Sequence, residues 1–353
     1  MKLADLTLGV KRAPWNSVAR HLLNRAGYDT TRGYQKTVDA VLAEKPDSDK
    51  IAALAEALTE NLVAGEKLIQ FVKITATERT ALDAWVRGKR MHANNLTDVF
   101  PGTAPENTII PFRSLDPTSA GYVELEDGVA ALFTSVRSYV KAEPVPASSL
   151  KATAAAGFER LVGYRRVHLQ CYDAIWIPSA KHNFVVLAID FPEGVPKPSF
   201  AGPASAFLEF TLRQQLGHQL KVANFWHAID GLYAGKDGKL VDYGFSAGGQ
   251  SVNHHKARRK TSVCLRKAVY DAAGAAAVKA AGNELELFKV AMQWAHKHHD
   301  GIVTEPEVII PGLAADLNKS MPKVDHCIVR NCLSSSDLAL VVSKLEPLIT
   351  AWV

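Results

Sequence analysis

The alternation of apolar and polar positions divides the chain into a helical opening and a strand-rich remainder. Between Trp15 and Leu42, Val18, Leu22, Leu23, Val38, Val41 and Leu42 recur at helical spacing around Gly27 and the polar run Asp29 to Gly33, which predicts two helices and a turn. Ile51, Leu54, Leu58 and Leu62 form one stripe after Pro46 and Asp47, so a third helix is expected from about Ser48 to Val63. Leu68 to Ile74 reads as a short strand. Thr77 and Glu78 open a helix that runs through Val86 and ends at Gly88.

Residues 94 to 120 are rich in Asn, Pro, Thr and Gly and read as a long loop. A helix is expected over Val123 to Tyr139, followed by a connector containing Pro144 and Pro146. A further helix is placed from Leu150 to about Leu161. The clearest strands are Arg166 to Ile177 and Phe184 to Ile189, joined as a hairpin or as neighbours. Ala206 to Leu216 is expected to be helical. Asn224 to Tyr233 and Leu240 to Phe245 are expected as strands around an Asp237-Gly238 turn. Helices are then predicted over Val263 to Ala281, Leu285 to His296 and Leu338 to Val353, with a short strand at Val308 to Ile310. The pattern predicts an α/β fold, a mixed sheet flanked by helices, with a small N-terminal helical unit. It divides into residues 1–66 (helical), 67–149 (an α/β segment with long loops) and 150–353 (the main α/β domain).

Composition leaves this picture intact. Of 353 residues, 47% are hydrophobic and 22% charged, as in an ordinary globular protein, and no apolar run approaches the roughly 18 to 20 residues of a membrane span. Without a recognisable secretory leader, a cytoplasmic protein with no membrane partner is expected, and its four cysteines are expected to be reduced and buried.

Charge changes the picture more. The net charge of +5 is concentrated in the middle of the chain, where residues 151–300 carry an excess of Lys and Arg over Asp and Glu. From Ser246 to Lys267 there is no carboxylate, while Lys256, Arg258, Arg259, Lys260, Arg266 and Lys267 are all cationic. Such a block is easier to hold in place when phosphates neutralise it. Gly248 and Gly249 let backbone approach an anion, and Ser246, Gln250, Ser251 and Asn253 supply neutral donors. Trp226, Tyr243 and Phe245 are candidate stacking surfaces. The reading that follows is a nucleic-acid-binding protein, DNA or RNA, with phosphates held by Gly248, Gly249, Gln250, Asn253, Lys256, Arg258, Arg259, Lys260, Arg266 and Lys267. His254 and His255 are the acid or base residues if it is a nuclease.

An alternative uses the same segment differently. Gly244-Phe245-Ser246-Ala247-Gly248 follows an expected strand, and with Asp316 and His326 after it in chain order it resembles the nucleophile elbow of α/β-hydrolases. That resemblance implies Ser246 as the nucleophile. The helix after an elbow packs beneath the sheet, however, and the residues in that position here include Asn253, His254, His255, Lys256 and Arg258.

Three lesser readings remain. His296, His299 and Asp300, on one face of an expected helix end, have the composition of a metal site, although helix capping explains them as well, and no metal is assigned. Trp15 to Ala43 has the length of a helix-turn-helix, with Arg32 and Lys36 in reach of phosphates; as a docking or dimerisation unit it would instead bring a protein partner or a second copy. A protein-interaction scaffold is the remaining class. Nothing in the sequence identifies a cofactor, since there is no P-loop and no GxGxxG after a strand.

Overall fold

The computed structural model describes residues 2–113, 116–146, 148, 159–195, 198–248, 251–258 and 263–353. Ten strands form one sheet: β1 (Lys67–Lys73), β2 (Thr118–Leu125), β3 (Gly128–Pro144), β4 (Val162–Pro178), β5 (Phe184–Asp190), β6 (Lys239–Ala247), β7 (Val252–Lys256), β8 (Leu285–Gln293), β9 (Glu307–Ile310) and β10 (Cys327–Arg330). Their order is β2-β3-β4-β5-β1-β10-β9-β8-β6-β7, and every neighbouring pair is antiparallel. Strands from 67–149 and from beyond residue 150 therefore share one sheet, and the expected boundary near 149 does not separate two sheets. Among the described residues no helix is long and apolar enough to cross a membrane.

The two sheet faces are covered unequally. One face buries Phe71, Tyr172, Trp176, Phe184, Phe225, Phe288 and Val329 along nearly its whole width, beneath the helices Trp226–Ala234 and Ser335–Leu345. The opposite face is packed by the helices Ala76–Arg87 and Gly202–Leu216 over β3, β4, β5 and β1, through Leu82, Val86, Leu208, Leu212, Val72, Ile175 and Leu187. Beyond Ile309 and Ile328 this apolar layer stops. The outer strands carry Glu307, Gln293, Lys289, Asp242, His254 and Lys256 there, so that half of the face is polar.

The N-terminal helices Leu3–Val10, Arg20–Arg25 (preceded by a π-turn, Trp15–Ala19), Tyr34–Ala43 and Ser48–Ala64 pack together around Leu6, Val10, Leu22, Leu23, Val41, Leu54 and Leu58. Asp47 caps Ser48–Ala64 by accepting from the Asp49 and Lys50 N–H groups. The last turn of that helix, Leu62 to Ala64, packs into the sheet core instead. This helix therefore joins the helical layer to the sheet.

A buried ionic cluster fixes the junction. The ladder between β4 and β5 ends at Ala174 and Ala188, and side chains take the backbone groups beyond it. Asp173 Oδ1 accepts from the Asp190 N–H at 2.8 Å, and Asp190 Oδ2 accepts from the Tyr172 N–H at 2.9 Å. Arg12, from the end of the first helix, donates to Asp190; Arg137 on β3 donates to Asp173 at 2.9 Å and to the Asp190 carbonyl at 3.0 Å. Lys67, 2% exposed, donates to the Tyr172 carbonyl at 2.7 Å and lies 3.8 Å from Asp190. Burial alone would raise the Asp190 carboxyl, but Arg12, Lys67 and Arg137 more than offset this and hold it at about 2. Nearby, Arg330 pairs with Glu66 at 2.9 Å, yet burial still pushes the Glu66 carboxyl up to about 7.

Several expected elements are corrected. The helix expected over Val123 to Tyr139 is the β2–β3 hairpin, and that expected over Leu285 to His296 is β8. Conversely, Asn224 to Tyr233 contains the helix Trp226–Ala234, so Asp237-Gly238 joins a helix to a strand. The helix near Val263 begins only at Val269, and the final helix ends at Leu345, before a two-residue strand Ala351–Trp352. Most of the helix placed from Leu150 to Leu161 lies outside the described residues.

Replacing Asp190 by Asn leaves Arg12 and Lys67 without their carboxylate, an expected loss of about 3–5 kcal/mol in urea unfolding at neutral pH. Because the Asp190 carboxyl titrates lower in the folded chain than in the unfolded one, its contribution is complete above about pH 4 and disappears as the pH falls towards 2. The stability gap between parent and Asp190→Asn should narrow by about 2 kcal/mol over that window. A gap that stays constant down to pH 2 would refute this account.

Candidate nucleic-acid interface

The basic segment opens on a hairpin at the sheet edge. Ser246 pairs with Val252, and β7 is the outermost strand, so among the described residues its outer backbone groups have no strand partner. Alternation along β7 sends His254 and Lys256 to the polar face and Asn253 and His255 to the other side, where Tyr243 and Phe245 lie.

His255 is the most elaborated position. Its Nδ1 lies 2.6 Å from Asp271 Oδ1, and the Tyr243 hydroxyl donates to the same carboxylate oxygen at 2.8 Å. Asp271 is 9% exposed and belongs to the first turn of the helix Val269–Ala280. Burial and the adjoining Asp271 carboxylate hold the Tyr243 hydroxyl well above the usual phenol range, so it stays a proton donor. A ring held at Nδ1 by a carboxylate offers Nε2 for proton transfer, the arrangement of a general base with its orienting acid. Beside it stands Tyr270, its ring 5.5 Å from that of His255 and 77% exposed, next to Val269 at 87%.

The expected residues divide into groups. Lys256, Arg258 and Lys267 are exposed, as is His254, whose ring packs edge-on against Phe288. Asn253 is half-buried and donates to Ser251 at 3.0 Å. Gly248 turns the chain with φ of 59° against Asn283. Gly249, Gln250, Arg259 and Lys260 lie outside the described residues.

Arg266 has a different task. Its guanidinium donates to the carbonyls of Leu232 and Tyr233, each at 3.0 Å, and of Gly238 at 2.9 Å, which ties the helix Trp226–Ala234 to the start of β6. It is thereby withdrawn from the phosphate-binding set. Trp226, Tyr243 and Phe245 are buried and present no face for stacking, whereas Tyr270, which the sequence reading passed over, does. Its signal was an aromatic at the start of a helix, next to Asp271, the first carboxylate after the basic block.

Ser246 is not placed as a nucleophile. The GxSxG segment continues β6 through Ala247 and turns into another strand where an elbow would need a helix, and Ser246 is 6% exposed. Asp316 pairs with Lys319, and His326 bonds its neighbour Asp325, so the chain order Ser, Asp, His does not become a triad. The polar sheet face beside the edge holds mixed charge: Lys289 pairs with Asp242 at 2.8 Å. Burial keeps the Glu307 carboxyl above its usual range, partly offset by a hydrogen bond from Gln293 and by Lys256.

The Arg266 assignment is directly checkable. Arg266→Ala should lower stability by about 2–3 kcal/mol in thermal or urea unfolding, since three part-buried carbonyls lose a charged donor, and any nucleic-acid affinity should stay at the parent level. A variant of parent stability with weakened binding would return Arg266 to the anion site. No family model matches the chain, and neither the curated proteins nor the solved structures gave a match, so its function rests on its own residues.

Proposed function

We propose that the chain is a nucleic-acid-binding protein that engages a single strand along the edge formed by β7 and the start of the helix Val269–Ala280. The observation that carries this reading is the exposed Tyr270 ring against the His255–Asp271 pair, with Arg258 and Lys267 between His255 and Tyr270 in sequence. An exposed aromatic supplies a stacking platform for a base, and cations beside it track the phosphates. Lys256, on the other side of the same strand, extends the cationic surface around the edge, with His254 beside it as a neutral polar group.

His255 adds a chemical capability. With Nδ1 bonded to Asp271, its Nε2 is the group to deprotonate a nucleophile or protonate a leaving oxygen, so phosphodiester cleavage is the reaction assigned to this edge. Binding and cleavage separate by residue: Tyr270, Arg258 and Lys267 bind, and His255 transfers the proton.

The test is binding of labelled single- and double-stranded DNA and RNA across a salt series. Joint replacement of Lys256, Arg258 and Lys267 by Ala should reduce the slope of log affinity against log salt by about 2–3, and Tyr270→Ala should cost about 1–3 kcal/mol on single strands. His255→Ala should leave binding intact and remove cleavage. Affinity indifferent to all of these substitutions would overturn the reading and turn attention to a protein partner at the same edge.

A further inference from the structure

A second cluster lies away from the sheet edge, where a short ribbon meets the start of a helix. His296 and Lys297 pair with Thr304 and Val303, and the chain reverses through Gly301 at φ of 83°. Residues two apart on such a ribbon share a side, so His296 and His298 face the same way, with ring centroids 4.6 Å apart. The chain that leaves β10 enters the helix Ser335–Leu345, whose first turn places Asp337 against both rings. The sequence reading paired His296 with His299 and Asp300 on an expected helix. The ribbon instead brings His298 to the site, turns the exposed His299 away and gives Asp300 to Arg25.

One carboxylate oxygen carries an unusual load. Asp337 Oδ1 lies 2.6 Å from His296 Nδ1, 3.2 Å from His298 Nε2 and 2.7 Å from Thr304 Oγ1, while Oδ2 accepts from the Leu333 N–H at 2.7 Å. The three ligand-capable atoms lie within 4.8 Å of one another. Donors arranged tetrahedrally about a metal with bonds of about 2.0–2.1 Å stand about 3.3 Å apart, so the cluster is already near the required size. His298 and Asp337 are almost fully buried, but the His296 side chain is 26% exposed, so the cluster opens to solvent on one side. The Leu333 N–H and the Thr304 hydroxyl hold the carboxylate in place, the kind of outer support that metal-ligating carboxylates receive.

We infer that His296 Nδ1, His298 Nε2 and Asp337 Oδ1 form a binding site for a zinc-class divalent transition ion. Two imidazoles and one carboxylate suit such an ion, and three protein ligands leave a fourth position for water on the exposed side. As the metal takes the two ring lone pairs, the protons at those nitrogens leave for solvent or move to the other nitrogen of the same ring. The site is independent of the nucleic-acid edge and stands or falls separately from it.

The experiment uses the full chain, stripped with a chelator and dialysed. Zn2+ titrated in competition with a chromogenic chelator should bind at one equivalent, and Co2+ at one equivalent should give the visible absorption of a tetrahedral nitrogen- and oxygen-ligated ion. His296→Ala, at a partly exposed position, should keep the fold by circular dichroism, weaken Zn2+ by roughly 100-fold and abolish the Co2+ bands. His299→Ala should behave as the parent. Absence of the Co2+ bands in the parent, or equal Zn2+ affinity in the parent and His296→Ala, would overturn the site.

Discussion

The carboxylate of Asp190 is the point on which three parts of the structure converge. It closes the end of the β4–β5 ladder, receives Arg12 from the helical layer and balances Lys67 inside the central strand. Charges removed from water in this way are costly unless each is met, and Asp173 with Arg137 completes the balance on the neighbouring strands. A small cavity lined by Gly9, Arg12, Asn61, Lys67, Asp190 and Cys332 adjoins the cluster. The centre of the sheet is therefore the part tied down by charge pairs, with apolar layers on both faces. The outer strands are freer to carry polar function.

Division of labour across the sheet follows from that constraint. Strands from β3 to β1 are clothed on both faces, while β9, β8, β6 and β7 are clothed on one. Mixed charge on the open face, with Lys289 against Asp242 and Gln293 against Glu307, keeps it hydrated. The edge departs from this balance, because Arg258 and Lys267 have no carboxylate beside them in sequence and Asp271 is committed to His255. The imbalance is the physical basis of the proposed anionic partner at this edge.

Local chemistry was legible wherever it was self-contained. Asp47 caps its helix as its position suggests, and the next helix starts with a reciprocal capping box, Thr75 with Glu78, two residues before the expected start. The hairpin of β4 and β5 was clear because β-branched and aromatic residues cluster there. Strands buried on both faces were not clear: Val129, Leu132 and Val136 satisfy a helical period, but Val129 to Arg137 is buried residue after residue, which erases the period of two. At the site, exposed charge was legible and its allocation was not. Arg266 and Lys267 are adjacent cations, and only the fold shows that one binds carbonyls and the other faces solvent. The pairing of His255 with Asp271 across the sheet edge, and of His296 with Asp337 across 41 residues, depends on tertiary contact that no local spacing encodes.

The position of β7 at the end of the sheet also bears on self-association. An unpaired strand edge is a template for a second copy of the same strand, and natural sheets guard such edges with charge, Lys above all. Lys256, on β7, and Arg258, just beyond it, stand where that guard is needed. A polyanion that neutralises them, or a substitution that deletes them, removes the guard together with the charge. Edge-to-edge pairing is thus the physical consequence of neutralising this charge, and it grows with the concentration at which the protein is handled.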